Sequence, residues 1–174
     1  MNRYTVRTLT STDFAALATL ETEVFGAMGE AVLCPHYLRL CTEIYYESCF
    51  IALDGDTPIG YLLSFVHGSE VHCTTLAVIP AYQKTRATMQ LIGAFVRHII
   101  DRVDACWFTV KEDNAPARAL HRMLGAVEVG RRTAYYGPDD ERLVAKIDRA
   151  TFERLRPKYE RLGFVDPRPV EVAA

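Results

Sequence analysis

Three side chains that can carry protons or bind a metal stand close together along the chain: His67, Glu70 and His72. Alternating apolar and polar residues predict two antiparallel strands, over residues 59–67 and 70–78, joined by a two-residue turn. That pairing would bring the three side chains to one place. A histidine near neutral pH can take a proton from an attacking nucleophile. A general base is one interpretation of this cluster, and a metal site is a weaker one because no fourth ligand is visible.

His72 is the best candidate for the base. Strand alternation predicts that it shares one face of its strand with Thr74 and Leu76. The competing interpretation is a half-buried strand histidine that is hydrogen-bonded to Glu70 or to the backbone.

The next chemical feature is the junction at residues 76–88, Leu-Ala-Val-Ile-Pro-Ala-Tyr-Gln-Lys-Thr-Arg-Ala-Thr, which leads into an apolar helical pattern. It predicts a strand, a sharp turn and a helix N-terminus, where free backbone N–H groups attract an anion. Lys84 and Arg86 add positive charge. The alternative is an ordinary turn in which these two side chains are simply solvated.

A second motif has the form Asn114-x-x-Ala117-x-x-Leu120-His121-x-x-x-Gly125. Its apolar spacing predicts a helix that begins near Asn114 and ends at Gly125. His121 is then either a proton donor or a plain surface histidine of that helix.

The two motifs together resemble those of the GCN5-related N-acetyltransferases. Gln83 matches the first position of the pattern Q/R-x-x-G-x-G/A, but Arg86 and Thr88 stand where two small residues are usual. The second motif matches NxxAxxLYxxxGF, with His121 in place of tyrosine and Ala126 in place of phenylalanine.

The resemblance implies an acetyl-CoA site and assigns roles to residues of both motifs. The pyrophosphate would bind at Gln83, Lys84, Thr85, Arg86, Ala87 and Thr88. Backbone N–H groups at Leu76, Ala77 and Val78 would hold the thioester carbonyl, and Asn114 would contact the pantetheine or a phosphate. His72 would be the base and His121 the acid that protonates the departing thiolate.

The reaction that the resemblance implies is direct transfer of an acetyl group from acetyl-CoA to a primary amine of a small molecule, without a metal. One alternative keeps the fold and takes the acyl group from an acyl carrier protein, which would dock on Lys84, Arg86, Arg97 and Arg102. Another is a non-catalytic acyl-CoA-binding or scaffold domain. A homodimer is left open.

Composition limits the remaining classes of function. The 174 residues are 49% apolar and 24% charged, with a net charge of −2, which favours one core of ordinary size and gives no basic face for nucleic acid or an anionic membrane. The five cysteines include no CxxC pair, which favours reduced thiols in the cytoplasm. We expect no signal peptide and no membrane span.

These residues must be positioned by an α/β fold with a mixed, mainly antiparallel sheet of about seven strands and helices on both faces. Strands are predicted over residues 4–9, 49–53, 59–67, 70–78, 105–110, 127–136 and 142–148. Helices are predicted from Thr10-x-x-Asp13 to Gly26, from Pro35, and over residues 86–103 and 114–124. Residues 1–148 would form the acyltransferase domain, and residues 149–174 a helical extension and tail that Pro157 kinks or splits.

Overall fold

The computed structural model describes residues 4–167. Its strands are β1 Thr5–Thr8, β2 Phe50–Asp54, β3 Thr57–His67, β4 Glu70–Val78, β5 Ala105–Val110, β6 Val127–Arg132 and β7 Arg142–Asp148. Its α-helices are α1 Phe14–Val24, α2 Pro35–Glu43, α3 Ala87–Ile99, α4 Ala115–Met123 and α5 Arg149–Arg161.

The strands form one sheet in the order β1-β2-β3-β4-β5-β7-β6. β4 and β5 pair in parallel, and each other pair within residues 4–167 is antiparallel. The prediction of a mixed, mainly antiparallel sheet of about seven strands is therefore confirmed. Two tight turns build the central strands, because Gly55 and Gly68 take positive φ angles of 61° and 58° that glycine adopts without steric cost.

Helices cover both faces of the sheet. α1 and α2 pack on one face, here called the α1–α2 face, through a buried cluster that includes Leu17, Leu38 and Tyr61. α3 and α5 pack on the opposite face, here called the α3 face, through a larger cluster that includes Phe95 and Phe152. Side chains of a strand alternate between the two faces, so each central strand contributes to both clusters.

The predicted starts of α1 and α2 are confirmed. The Thr10 backbone N–H donates to Asp13 Oδ2 at 2.7 Å, which fixes the single 3-10 turn that precedes α1. Pro35 occupies the first turn of α2, where its missing N–H costs no helical hydrogen bond.

β4 departs from the alternation that the sequence predicted. Ser64 pairs with Cys73 and Leu63 with Thr75, so Thr74 is an extra residue without a partner of its own on β3. A bulge of this kind inverts the side-chain alternation on its far side. Leu76 consequently packs on the α3 face, and the prediction that it shares a face with His72 is wrong.

Two predictions at the C-terminal end are also corrected. β6 ends at Arg132, four residues before the predicted end, and a longer loop leads to β7. Pro157 does not split α5, which runs continuously from Arg149 to Arg161 and buries Phe152 and Tyr159 in the cluster of the α3 face. Within residues 4–167, no helix combines the length and apolar content that a membrane crossing requires.

Candidate functional site

The central feature of the site is a gap between β4 and β5. These strands pair only from Glu70–Ala105 to Cys73–Phe108, although β4 continues to Val78. Beyond Cys73, one edge of β4 therefore has no β5 neighbour, and backbone groups along that edge face the gap. An extended polar chain can add to such an edge as a further strand would.

His72 stands just before the gap, on the α1–α2 face. It pairs with Phe65 across β3, as predicted, and Phe65 packs against the cluster of that face. On the other side it pairs with Trp107 of β5. The two rings are stacked, with centroids 6.3 Å apart and planes 12° apart. The imidazole is exposed and is accessible to a bound molecule or to water.

A cleft of about 250 Å³ opens beside His72. Its walls come from β4, β5, β6, β7 and the loop before β7, and they combine aromatic, polar and charged side chains. The main polar and aromatic lining residues are Glu70, His72, Thr74, Trp107, Thr109, Arg132, Tyr135 and Tyr136. This size suits a small molecule or the end of a longer one.

Aromatic residues from α2 and from the segment just after it border the strand that carries His72. The hydroxyl groups of Tyr37 and Thr74 are 2.9 Å apart and hydrogen-bonded, which fixes the bulged residue of β4 to α2. Tyr37 and Tyr45 both meet the Phe65 ring edge-on, with centroids 5.5 and 4.7 Å away. Burial raises the pKa of Tyr37, so its hydroxyl stays protonated and remains available as a donor.

The predicted anion-binding turn lies at the start of α3. Arg86 is the N-cap residue, with φ −75° and ψ −6°, which is an ordinary right-handed conformation. The turn therefore forms without a glycine. Lys84 and Arg86 are exposed, and within residues 4–167 neither takes part in an ion pair.

Two side chains of this turn already bind backbone groups. Thr85 Oγ1 accepts from the Ala87 N–H at 3.2 Å and donates to the Tyr82 carbonyl at 2.7 Å. Gln83 Nε2 donates to the Val78 carbonyl at 3.1 Å. A ligand that needs the Ala87 donor or the Val78 carbonyl has to share or displace these contacts.

Leu76, Ala77 and Val78 lie on the part of β4 that runs beyond the β5 pairing. They pair with Leu62, Tyr61 and Gly60 of β3. A Cβ on Gly60 would come within 2.6 Å of the Ala77 carbonyl, so the close approach of β3 and β4 here depends on glycine. Thr88 follows Ala87 in the first turn of α3.

The second motif forms α4. Asn114 Oδ1 accepts from the Ala117 N–H at 3.1 Å and thus caps the helix, which leaves the two amide N–H groups of Asn114 for other partners. Gly125 follows the helix with φ 85°, as the motif predicted.

His121 of α4 packs against Phe108 of β5, with ring centroids 4.3 Å apart. Burial lowers the pKa of His121 to about 4, although the charge of Glu128 acts in the opposite direction. Its Nδ1 is buried, without a hydrogen-bond partner among residues 4–167. The ring is therefore neutral at pH 7.

The metal alternative gains no support from the geometry. In the described part of the chain, no group of three histidine, cysteine, aspartate or glutamate side chains converges to hold an ion. Glu70 and His72 line the cleft, whereas His67 does not.

Sequence reasoning missed several residues of the cleft: Trp107, Arg132, Tyr135 and Tyr136. Trp107 was detectable in principle, because the neighbouring Cys106 and Phe108 are typical core residues and Trp107 must face the other way. Arg132 and the two tyrosines lie at and beyond the end of β6, in a region that the sequence assigned to a longer strand.

Comparison with known proteins gives the following matches. The family model described as "Acetyltransferase (GNAT) family" matches residues 15–126. A comparison with curated proteins found no significant match.

Several solved structures share the fold at low sequence identity. A ribosomal-protein alanine N-acetyltransferase from Escherichia coli is 19% identical, with a TM-score of 0.69 over 83% of this chain and 93% of that chain. Ard1 from Thermoplasma volcanium is 15% identical, with a TM-score of 0.72 over 84% and 97%. The diaminobutyrate acetyltransferase EctA from Paenibacillus lautus, solved with L-2,4-diaminobutyric acid and coenzyme A, is 14% identical, with a TM-score of 0.68 over 82% and 93%.

Proposed function

The chain belongs to the acetyltransferase (GNAT) family, and we propose that it transfers an acetyl group from acetyl-CoA to a primary amine of a small molecule. The observation that carries this proposal is the gap between β4 and β5 with His72 at its base. The gap offers an unpaired strand edge for the donor and a cleft for the acceptor at the same place.

In the donor site that we propose, the pantetheine arm lies along β4 beyond Cys73. Those backbone N–H groups of the segment Leu76, Ala77 and Val78 that face the gap hold the thioester carbonyl and stabilise the negative charge that develops on its oxygen. The diphosphate binds at residues 83–88, where the first N–H groups of α3 have no partner within the helix. Arg86 contributes a charge-assisted contact in place of the close approach that glycine allows.

The chemistry that we propose is direct attack. The amine nitrogen attacks the thioester carbon, an N–C bond forms and the C–S bond breaks, and His72 takes the proton that the nitrogen loses, directly or through one water. His121 donates a hydrogen bond from its neutral ring N–H to the departing thiolate, which then takes a proton from solvent. A neutral ring favours this role over that of an imidazolium acid.

A small amine as acceptor is supported by the limited volume of the cleft. The structural relatives include an enzyme solved with the small molecule L-2,4-diaminobutyric acid and one solved with a bisubstrate analogue that contains a peptide. Fold alone therefore does not choose between these acceptors.

The donor is tested by the thermal shift and calorimetry of the protein with acetyl-CoA, CoA, a longer acyl-CoA and an acylated carrier protein. A ligand at about one hundred times its Kd adds roughly 2.7 kcal/mol to the free energy of unfolding. We expect acetyl-CoA to stabilise the protein. Stabilisation by the carrier alone would favour the protein-bound donor, and binding without turnover of any amine would favour the scaffold.

The base is tested by His72→Ala. We expect the turnover rate to fall roughly 10²–10⁴-fold, the range for loss of a general base, while the Kd for acetyl-CoA stays within about twofold. His67→Ala is the matched control, because His67 lies on the same hairpin and outside the cleft. Equal rates for the two variants would remove His72 from the mechanism.

A further inference from the structure

Three arginines at the adjoining ends of β6 and β7 differ in their partners. Arg131 forms an ion pair with Glu112 at 2.7 Å, and Arg142 forms one with Asp140 at 2.7 Å. Arg132 lies between them in the fold, since it follows Arg131 and pairs with Arg142 across the strands. Arg132 is exposed, and within residues 4–167 its side chain forms no ion pair, in contrast to those of Arg131 and Arg142.

Arg132 also differs in where it points. Arg131 pairs with Leu143, which is buried, whereas Arg132 and Arg142 share the other side of the ribbon. Along β7 that side continues through Val144 to Lys146, which pairs with Trp107. The Arg132 side chain lines the cleft that contains His72 and Trp107.

Among the described residues that line the cleft, Arg132 is the one arginine or lysine. Lys146 Nζ lies 4.7 Å from the centroid of the Trp107 ring, at the other end of the cleft from Arg132. The Trp107 indole Nε1 is buried, without an acceptor in the described part of the chain. Glu70 is the one carboxylate among the lining residues. An acceptor that carried a carboxylate would give Arg132 a charged partner inside the cleft.

We propose that Arg132 binds a carboxylate of the acceptor, so that the substrate is an amino acid or a related small amine with a free carboxylate. This inference rests on the proposed function. The amine lies at His72 and Glu70, and the carboxylate lies at the opposite end of the cleft, against the guanidinium of Arg132. A guanidinium fork matches the two oxygens of a carboxylate in geometry and charge.

The sheet register supports two separate ends. Arg142, the partner of Arg132, and Lys146, the partner of Trp107, are separated along β7 by a distance of about 13 Å, from the usual rise of a strand. The long side chain of Arg132 brings its guanidinium closer to the His72 end of the cleft than its backbone position is. The acceptor that fits this arrangement is a short molecule with its amine at one end and its carboxylate at the other.

The test compares pairs of amines that differ in one charge. Each pair consists of an amino acid and its carboxamide, drawn from the α-amino acids, the diamino acids and the ω-amino acids, with CoA release as the readout at saturating acetyl-CoA. The ratio of kcat/KM within a pair is measured for the native protein, for Arg132→Gln and for Arg131→Gln. Comparing these ratios between proteins cancels the difference in basicity between the two amines of a pair.

We expect the native protein to favour at least one amino acid over its carboxamide by roughly tenfold or more, the effect of one charged contact made in the transition state. Arg132→Gln should reduce that preference to about one. Arg131→Gln should keep the preference, because Arg131 is paired with Glu112 outside the cleft.

An unchanged preference in Arg132→Gln would overturn the inference, and so would turnover confined to amines without a carboxylate. Both results leave the acetyltransferase proposal intact. If no amine is acetylated although acetyl-CoA binds, or if acetyl-CoA does not bind, the proposed function fails and the inference fails with it.

Discussion

His121 is a titratable group whose properties depend on packing more than on residue type. A free histidine titrates near neutral pH, and the sequence therefore offered it as an acid. In the fold, its ring lies against Phe108, and loss of solvent lowers the pKa of His121 to about 4. The charged form is the one that burial disfavours.

This burial makes the stability of the protein depend on pH. Between pH 6.5 and about 4, the unfolded chain binds a proton at His121 that the folded protein does not bind. Stability therefore falls as pH falls through this window, with a slope of up to about 1.4 kcal/mol per pH unit for one proton. We expect His121→Gln to flatten that slope in urea unfolding measured from pH 7 to pH 4.

The pKa of His98 is also lowered by burial, so part of the slope should remain in His121→Gln. His36→Gln is the control, because His36 is exposed on α2. An equal slope in native protein and His121→Gln would mean that the histidine is not desolvated as the fold indicates.

Arg86 contrasts with His121, because its properties depend on residue type and its backbone conformation is an ordinary one. Glycine is usual at this position in the related turns, but the φ of −75° at Arg86 needs no glycine. Compared with glycine, an arginine at this position reduces the space beside the main chain and adds a positive charge. We therefore expect Arg86 to influence affinity at the proposed diphosphate site and not the formation of α3.

The α4–α5 contact shows how one glycine fixes the packing of two elements. Gly125 ends α4 with φ 85°, and a Cβ there would overlap Leu155 of α5 and lie 3.1 Å from Thr151 Cγ2. Two hydrogen bonds from α5 reach the same end of α4, at 2.6 Å from Lys158 Nζ to the Met123 carbonyl and at 2.6 Å from the Tyr159 hydroxyl to the Leu124 carbonyl. α5 therefore donates hydrogen bonds to carbonyls at the C-terminal end of α4, which have no partner within that helix, and it also covers the core.

Gly125→Ala should destabilise the protein by roughly 2–5 kcal/mol, because a left-handed residue with a side chain costs about 1–2 kcal/mol and overpacking costs a further 1–3 kcal/mol. The matched control is Gly163→Ala. Gly163 has φ 72° and follows α5, but a Cβ there meets nothing within 4 Å. Equal losses for the two variants in urea unfolding would mean that the Leu155 contact does not limit the space.

The local geometry of β4 bears on the proposed function. The extra residue at Thr74 turns Leu76 to the α3 face while His72 remains on the α1–α2 face. The same strand thus presents His72, the proposed base, to one side of the sheet and a backbone edge to the gap. Without the extra residue, Leu76 would lie on the α1–α2 face together with His72.

At the scale of the whole molecule, two buried clusters lie on opposite faces of the sheet that contains the gap. α3, with the proposed diphosphate site, belongs to the α3 face, and the cleft with His72 opens on the other. Donor and acceptor would therefore approach the reacting atoms from opposite sides of the sheet. The reacting groups would meet only if the helices on both faces keep their positions relative to the sheet.

Glu21 helps to hold the α1–α2 face in place. It is 2% exposed, accepts from the Leu33 N–H at 2.8 Å and accepts a short hydrogen bond from the Tyr61 hydroxyl. One carboxylate thus joins α1, the segment before α2 and β3. A buried carboxylate needs such donors, because it has lost its water.

Tyr61→Phe removes one of these donors and should lower the free energy of unfolding by about 1–3 kcal/mol at pH 7, the cost of an under-satisfied buried group. Tyr159→Phe is the control, since that buried hydroxyl bonds a neutral carbonyl and its loss should cost roughly 1 kcal/mol. If Tyr61→Phe is as stable as the native protein in urea unfolding, Glu21 does not depend on the tyrosine.

The sequence by itself determined the order of the elements, the two tight turns of β2–β4, the caps of α1, α2 and α4, and the family. Each of these depends on neighbouring residues or on fixed short spacing. His72 and the start of α3 could be proposed for the same reason. The roles of individual residues remain predictions.

Only the tertiary structure decided which faces the side chains take and what surrounds them. One extra residue at Thr74 reverses the direction of Leu76, because strand alternation has a period of two. Arg132 and Trp107 join His72 in one cleft only through strands that are distant in sequence. The low pKa of His121 likewise results from the ring of Phe108 and the loss of water around it, which no local pattern of residues encodes.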